Sequence, residues 1–569
     1  MRPPLAAAPA RPARRCALTL RALADAARRW SLLWPWLALL AGGAQASPQP
    51  AQAPSLSFAE LEAAGATIGQ IHIVAHDIFD TSDPREDKLL FRWANALHAQ
   101  TRPGVILHAL LFRSGDRVSA RLLEETERVL RSNRYFYDVQ IRPLAVHDGV
   151  VDIEVMTRDT WTLEVGASAG RSGGSNSSGL SLRDYNLLGS GWAVGVGRSK
   201  NVDRSGSEFQ LSNDHAFGSW TKLDFSHASN TDGRSDALSV AQPFYALESR
   251  WAAGASVSRN DRVDSLYNAG EVASQYRHRE NRGEVYGGWS PGLVDGWTQR
   301  ISLGASYQDD AYAPEPGRAA PDRLPTDERL VAPFLRYERI EDRYQRKLNR
   351  NLIGRPEFFA LGLAAQLQLG WASTALGSSH PAWLYAGSLS RGYEPWPEHT
   401  LIATLTLAGQ FRDGQVRRQR LGASAQYYLP QGPHRLLYVS ASAEVLTRPE
   451  AIDALLLGGD NGLRGYPLRY QSGSRRALFT VEQRGYTDLY LWQLFRIGGA
   501  AYVDLGRAWA GDNSNTRNPG WLGNAGIGLR IVSARSAFSN VLHVDLAFPL
   551  ATQADVKKLQ FLVKTKASF

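Results

Sequence analysis

Residues 495–505 read FRIGGAAYVDL, and apolar and polar side chains alternate along this stretch. One face carries Phe495, Ile497, Ala501, Val503 and Leu505, and the opposite face carries Arg496, Tyr502 and Asp504. Successive side chains of a β-strand point to opposite faces. The stretch is therefore predicted to be a strand with one oily face and one polar face.

The same alternation recurs in four nearby segments: ALFTVEQR (477–484), AGIGLRI (525–531), LHVDLAF (542–548) and LQFLVKTKASF (559–569). Their polar faces carry Glu482, Arg530, Asp545 and Lys564. In the last segment the apolar face carries Phe561, Val563 and Phe569, which we interpret as a terminal strand signal. Charged residues on one face and aliphatic residues on the other are typical of strands with a watery and an oily side.

From 161 to 569 the chain is a succession of such short segments separated by turn residues, without a convincing helix. This pattern predicts an all-β transmembrane antiparallel β-barrel. Such a barrel must close on itself because lipid offers no hydrogen-bond partners to the unpaired backbone groups of an open sheet edge. About 20 candidate strands can be counted, although periodicity alone does not fix the number. The Pro-rich stretch 309–330 and the charged stretch 341–355 are predicted loops. A soluble β-sandwich also alternates and remains the structural alternative.

The first 46 residues are predicted to be a cleaved signal peptide. A basic beginning is followed by a short apolar core at 30–41 and by Ala44-Gln45-Ala46, a small-residue cleavage pattern. The core is too short to cross a bilayer, which takes about 20 residues. This segment holds seven arginines and one aspartate, so its removal lowers the formal charge from +9 to +3, and it takes away Cys16, the single cysteine.

Residues 47–67 begin rich in Pro, Ala and Gln and are predicted to be a linker, and 68–160 a small α+β domain. Within it, 68–74 and 105–111 are predicted strands and 88–99 a helix. Ser119 is a plausible N-cap for the next helix. Two alternating segments around His147-Asp148-Gly149 then predict a β-hairpin.

The sequence offers no catalytic centre. Ser168 lies in the pattern Gly166-x-Ser168-x-Gly170, but a nucleophile elbow needs a strand, a turn and a helix, and RSGGSNSSG follows here. His543 alternates with apolar residues and is predicted to face the lumen. There is no metal-ligand spacing and no phosphate-binding loop. We therefore expect no enzyme activity, no cofactor and no metal, and the small charge of the mature chain gives no reason to expect nucleic acid.

Two parts of the chain resemble a known family. FRSGDRVSARLLEETERVLRSNRYFYDVQI (112–141) and DGVVDIEVMTRDTW (148–161) resemble a polypeptide-transport-associated (POTRA) domain. The segment GGDNGLRGYPLRYQ (458–471) resembles the BamA/TamA superfamily of bacterial outer-membrane proteins (the bacterial surface antigen family) in its Arg464-Gly465-Tyr466 motif. The later stretch Tyr502-x-Asp504-x-Gly506 matches that family's next motif. GIGLR (526–530), DYNLLGSG (184–191) and the terminal Phe569 also match.

The resemblance implies a barrel of about 16 strands, with the N-terminal domain in the periplasm and the Arg464 loop folded into the lumen. An arginine there could pair with a lumen carboxylate, and Asp504 is the first choice, before Glu482 and Asp545. The implied function is insertion, assembly or translocation of other proteins at the outer membrane, through a weak seam between the first strand, near 161–169, and the last, 559–569. The implied partners are outer-membrane lipid, unfolded outer-membrane or secreted client polypeptides, and accessory periplasmic proteins or lipoproteins.

Two other functions remain open. A two-partner secretion translocator would pass one dedicated client through the lumen, whereas a passive porin-like barrel would carry a vestigial periplasmic domain. A neighbouring gene for a large secreted protein would favour the translocator. Failure of the N-terminal domain to bind unfolded outer-membrane peptides would favour the porin.

Overall fold

A computed structural model describes residues 57–509, 518–535, 541–551 and 553–566. The predicted signal peptide, the first part of the predicted linker and Phe569 lie outside these residues. No helix among the described residues is long and apolar enough to cross a membrane.

The N-terminal unit, residues 57–160, packs helices on a three-stranded sheet. Its helices are α1 (Phe58–Ala63), α2 (Leu89–Leu97), α3 (Pro103–His108) and α4 (Ala120–Ser132), and its strands are β1 (Thr67–His76), β2 (Phe136–His147) and β3 (Val150–Asp159). The sheet order is β1-β3-β2, with β1 parallel and β2 antiparallel to β3. Alternate residues of β3 (Val151, Ile153 and Val155) are fully buried in its core.

Two predictions in this unit were wrong. The predicted strand at 105–111 is mostly the helix α3, which starts at Pro103. Proline suits the first turn of a helix because the missing N–H has no partner there in any case. The predicted linker ends in ordered structure, since α1 is closed by a capping box in which Ser57 and Glu60 bond each other's backbone N–H.

Twenty strands among the described residues close into one antiparallel barrel. The strands are β4 (Leu163–Ser172), β5 (Ser175–Asp184), β6 (Ala193–Lys200), β7 (Ser205–Ala216), β8 (Thr221–Asn230), β9 (Gly233–Gln242), β10 (Trp251–Asn268), β11 (Glu271–Trp289), β13 (Trp297–Pro314), β14 (Glu328–Glu341), β17 (Ala364–Ala372), β18 (Ala382–Tyr393), β19 (Thr400–Arg412), β20 (Gln415–Pro430), β21 (Arg435–Thr447), β24 (Arg475–Leu491), β25 (Phe495–Trp509), β26 (Leu522–Ser533), β27 (Val541–Pro549) and β28 (Gln560–Lys566). The two-residue β12 (Leu293–Val294) extends one turn. The all-β fold class is confirmed, but the figure of about 16 strands was wrong. It came from the resemblance, whereas alternation counted in this chain indicated about 20.

The strand faces follow the predicted alternation. In β27, Val541, His543, Asp545 and Ala547 are buried while Phe548 is largely exposed. The outer surface carries exposed tryptophans at both ends of the barrel. Trp251, Trp289 and Trp492 lie at the end that bears the N-terminal unit (the near end), and Trp371, Trp383 and Trp521 lie at the opposite (far) end. Aromatic girdles flanking an apolar band are typical of barrels in lipid.

Two segments fold inward against the lumen wall. Residues 448–474, here called the lumen loop, enter from the far end and contain β22 (Leu455–Leu457) paired with β23 (Gln471–Gly473). Residues 342–363, here called the near-end hairpin, contain β15 (Tyr344–Leu348) paired with β16 (Pro356–Ala360). The stretch 341–355, predicted to be a loop, therefore forms much of a packed hairpin. The Pro-rich loop is shorter than predicted and covers 315–327.

Candidate functional site

The lumen loop has a small core of its own. Leu457, Leu463, Tyr466 and Tyr470 are buried together against Ala508 and Leu522 of the barrel wall. Gly506 leaves room for this core, because a Cβ there would lie 3.1 Å from the Leu457 side chain. The loop is thus packed against β25 and β26 as closely as a protein interior.

Arg464 lies at the centre of the contact between loop and wall. Its Nε and Nη2 each donate to the Asp504 carboxylate at 2.8 Å, and its Nη1 donates to Glu482 at 2.9 Å. Its guanidinium also lies 3.2 Å from the ring centroid of Tyr502. Asp504, our first choice of partner, is fully buried and Arg464 is 7% exposed. Burial by itself lowers the pKa of Arg464, but the two carboxylates outweigh it and raise the pKa above its ordinary value.

Glu482 extends this pair into a network. It lies 2.9 Å from Arg464, 3.1 Å from Arg484 and 3.5 Å from Arg530, and Arg530 donates to Asp545 at 2.7 Å. Three arginines therefore face three carboxylates, and all six side chains are buried. Such a network is worth most as a unit, since removal of one member leaves a buried charge unpaired.

Gly465 and Tyr466 fix the register of the loop. The Gly465 N–H donates to Asn524 Oδ1 at 3.1 Å, and the Tyr466 hydroxyl donates to the Gly523 carbonyl at 3.0 Å. Gly465 is not among the glycines with positive φ, so its backbone conformation does not require a glycine. It is needed for close approach instead, because a Cβ there would lie 2.7 Å from the Asn524 Cβ.

The loop reaches across the lumen to the opposite wall. Arg469 binds Asp203, between β6 and β7, with two contacts of 2.6 Å. This hydrogen-bonded ion pair lowers the pKa of the Asp203 carboxyl. Tyr267 of β10 also donates to Asp203, at 2.9 Å. The far end is therefore bridged from the wall of β24–β26 to that of β6–β10.

The barrel closes between β4 and β28. Among the described residues, a single partner pair joins these strands, Val563 with Arg171, whereas β27 and β28 have seven partner pairs. The lumen loop spans this seam, because the Gly459 carbonyl accepts from Ser172 of β4, at 2.7 Å, and from Lys564 of β28. Phe561 and Val563 lie on the outer face of β28.

The near-end hairpin was missed as a functional element. Its Ile353 and Phe359 pack with Leu361 against lumen-facing residues of the wall, namely Tyr428, Leu436, Tyr486, Ala500, Val532 and Val541. The Glu357 carboxylate accepts the backbone N–H groups of residues 350, 351 and 352 and closes the turn. The apolar pair Phe358-Phe359, directly after the charged stretch 341–355, was the available signal.

Part of the lumen stays open. A cavity of about 540 Å³ lies along β7–β13 and is lined mainly by small and polar residues, among them Ser212, Ser226, Ser239, Ser256, Ser258 and Ser306. The cavity thus lies along β7–β13, whereas the apolar contacts of the near-end hairpin and of the lumen loop are mainly with β20–β27.

One group of described side chains has the spacing of metal ligands: His278, Glu280 and Asp310. Arg262 donates to Glu280 at 2.9 Å and Arg282 donates to Asp310 at 2.9 Å, so the carboxylates already have cationic partners. His543 is buried on the lumen side, as predicted. Ser168 lies within strand β4 and not on a strand–turn–helix elbow.

No family model matches the sequence, and no curated protein does. Similar solved structures include BamA from Haemophilus ducreyi lacking POTRA domains 1–3, with 13% identity, a TM-score of 0.39, and 87% of this chain and 84% of that chain covered. CdiB from Escherichia coli has 12% identity, a TM-score of 0.46, and coverage of 88% and 76%. CdiB from Acinetobacter baumannii has 12% identity, a TM-score of 0.41, and coverage of 96% of both chains. Because these similarities are low, the fold assignment rests on the closed sheet of this chain.

Proposed function

We propose that this chain is an outer-membrane protein of the BamA/TamA superfamily that inserts or translocates client polypeptides without covalent chemistry. The observation that supports it best is the seam, where one described residue pair joins strands that elsewhere have long ladders. A barrel that served only as a wall would gain stability from a full ladder at this position.

The seam offers a client two strand edges. When β4 and β28 part, each exposes backbone N–H and C=O groups that an incoming strand can pair with. The Gly459 carbonyl holds both strands through Ser172 and Lys564, so the lumen loop keeps the resting seam shut. Withdrawal of the loop would break both contacts together.

The N-terminal unit would receive the client first. Its sheet has β1 and β2 at the edges, and domains of the POTRA type bind extended polypeptide by adding it to an edge strand. We place this unit in the periplasm, with any accessory protein or lipoprotein bound there.

A disulfide across the seam tests the proposal. Arg171 and Val563 are direct partners, so cysteines at these two positions are close enough to form a disulfide when they are oxidised. We expect oxidation of R171C/V563C to stop insertion of outer-membrane clients into proteoliposomes, and reduction to restore it. Cysteines at Ala425 and Ala441, partners in the continuous β20–β21 ladder, are the matched control and should leave insertion unchanged. Full insertion by the oxidised seam variant would refute a seam mechanism.

A second candidate, secretion of a dedicated client through the lumen, is favoured by the open cavity along β7–β13. For a translocator, removal of the lumen loop should produce a large conductance, and the seam disulfide should leave secretion intact. A neighbouring gene for a large secreted protein would favour this candidate. These outcomes separate it from the seam mechanism.

A further inference from the structure

Helix α2 presents an apolar surface that no described residue covers. Leu89 is 70% exposed, Leu90 66%, Trp93 62% and Leu97 77%. At about 100° per residue these four side chains fall within one arc of about 100° on the helix. Large apolar side chains clustered in this way mark an interaction surface more often than chance exposure does.

The rest of the helix is fixed, so this arc cannot turn inward. Phe91 is buried and stacks on Phe79 with ring centroids 4.1 Å apart. Asn95 accepts the Phe79 N–H at 3.1 Å and donates to its carbonyl at 2.8 Å. The helix therefore holds its apolar arc outward.

The helix is attached to the near-end rim of the barrel. Its cluster of Ile78, Phe79 and Phe91 packs against Trp161, which precedes β4, and Leu494, in the turn between β24 and β25. Arg535, after β26, pairs with Glu86 and accepts the Trp161 N–H through its carbonyl at 2.8 Å.

This rim is where the outer surface of the barrel would meet the lipid headgroups. Leu491 and Trp492 are exposed close to Leu494 in sequence, and Leu163 and Val165 are exposed at the start of β4. The apolar arc of α2 therefore belongs to a helix that packs at the same rim as these exposed apolar residues. Aromatic and aliphatic residues together suit the boundary between headgroups and acyl chains.

The charges around the helix indicate what chemistry the arc would bind. Arg92 is paired with Asp87 and Arg85 with Asp83, whereas Lys88 lies 5.5 Å from the centroid of the Phe91 ring, so two of the three cations beside the arc are neutralised. Attraction to an anionic partner is consequently weak, and apolar burial dominates.

We propose that α2 is an interfacial helix whose Leu89, Leu90, Trp93 and Leu97 enter the near-end leaflet of the bilayer and contact phospholipid acyl chains beside the first barrel strand. The proposal rests on the membrane-embedded barrel of the proposed function, and it is independent of client handling. The helix gives the N-terminal unit a second anchor and places it in lipid next to β4, one of the two seam strands.

Site-directed spin labelling of the full-length protein tests this, because Cys16 is the single native cysteine and can be changed to serine. Nitroxides are attached one at a time in L90C and L97C, in R92C on the polar side of the same helix, and in D148C in the β2–β3 turn. The proteins are placed in phosphatidylcholine vesicles with and without phosphatidylglycerol. Collision with oxygen, which enters lipid, is compared with collision with a water-soluble nickel chelate.

We expect labels at 90 and 97 to favour oxygen over the nickel chelate several-fold more than labels at 92 and 148, with or without phosphatidylglycerol. The double substitution L89E/L97E should abolish this preference at position 90. Nickel access at 90 and 97 equal to that at 148 would overturn the proposal. So would shielding from both reagents, in vesicles and in lipid-free amphipol alike, since a protein surface would then cover the arc. Co-flotation with the vesicles and heat-resistant gel mobility, measured in parallel, report separately whether the barrel is embedded and whether it is folded.

Discussion

At the scale of single residues, the barrel interior depends on Arg464, which is buried with its charge intact. Transfer of a guanidinium from water into a closed site is costly unless carboxylates compensate it. Asp504 provides that compensation with two parallel contacts, and Glu482 provides a third. The lumen loop is thus attached to the wall by a strong interaction, because the buried guanidinium of Arg464 is paired with buried carboxylates.

Replacement of Arg464 by alanine should therefore be severe. R464A leaves Asp504 buried without its cation and removes one of the three arginines beside Glu482, which is expected to cost about 3–5 kcal/mol in the free energy of unfolding. R464K retains the charge but not the bidentate geometry, and we expect an intermediate loss. Urea unfolding in vesicles and heat-resistant gel mobility measure both variants.

The control is an arginine with the same charge in an exposed pair. Arg329 contacts Asp309 at 3.2 Å, with about half of its side chain in solvent. Because exposed pairs are worth about 0–1 kcal/mol, R329A should have little effect. Equal stability of R464A and R329A would contradict the importance assigned to the buried network.

Gly465 should tolerate no side chain. The Cβ added in G465A would lie 2.7 Å from the Asn524 Cβ, so the loop must move from the wall at a cost of about 1–3 kcal/mol. Gly287, on β11, has nothing within 4 Å of an added Cβ, and G287A should be neutral. Chemical denaturation of the two variants side by side measures the difference. Equal denaturation midpoints would show that the loop can accommodate a Cβ at position 465 without moving from the wall.

Much of this site was accessible from the sequence. Alternation predicts that Glu482, Asp504 and Asp545 face inward, because every second strand residue shares a face. The resemblance predicted that Arg464 lies in the lumen, next to that face. The contacts of the Gly459 carbonyl and of Asn524 could not be predicted, because they depend on where a 27-residue loop comes to rest in three dimensions.

At the scale of elements, the near-end hairpin shows where pattern reasoning fails. The stretch 341–355 is rich in charge and was predicted to be a loop. In the structure Arg350 of this stretch is buried with backbone partners: its Nη1 donates to the Leu348 carbonyl at 3.1 Å, and its Nη2 donates to the Glu398 carbonyl at 3.2 Å. Charge composition predicts exposure only while such partners are absent.

Removal of this hairpin should open the near end of the lumen. If residues 345–359 are replaced by a short Gly-Ser turn, the apolar contacts of Ile353 and Phe359 with the wall are lost, and we expect a several-fold larger single-channel conductance in planar bilayers. The same replacement of 316–326, in the far-end loop between β13 and β14, is the control and should leave conductance near the starting value. An unchanged conductance without the hairpin would mean that another segment closes the pore.

At the scale of the whole molecule, the N-terminal unit is joined to the barrel by buried polar contacts rather than by a free linker. Asp159 is fully buried and accepts from the Thr101 N–H at 2.7 Å, and His98 Nε2 lies 2.9 Å from it. Asn186, in the first near-end turn of the barrel, donates to Thr101 Oγ1 at 2.7 Å. Because β4 begins at Leu163, this junction fixes the beginning of the first barrel strand, which pairs with β28 near its other end, at Arg171.

Substitution of Asp159 should therefore loosen the two parts of the molecule relative to each other. D159A removes the acceptor shared by Thr101 and His98 and leaves those buried donors unpaired, each at a cost of about 1–3 kcal/mol. Spin labels in V146C on the N-terminal sheet and D488C at the near end of β24, both exposed positions, report the separation of the two parts. We expect a narrow distance distribution in the parent protein and a broad one in D159A. D148A, in the exposed turn between β2 and β3, should keep the narrow distribution. If D159A keeps it as well, the contacts of Arg535 and Trp161 at the rim are sufficient to hold the N-terminal unit, and the Asp159 junction only closes the space between them.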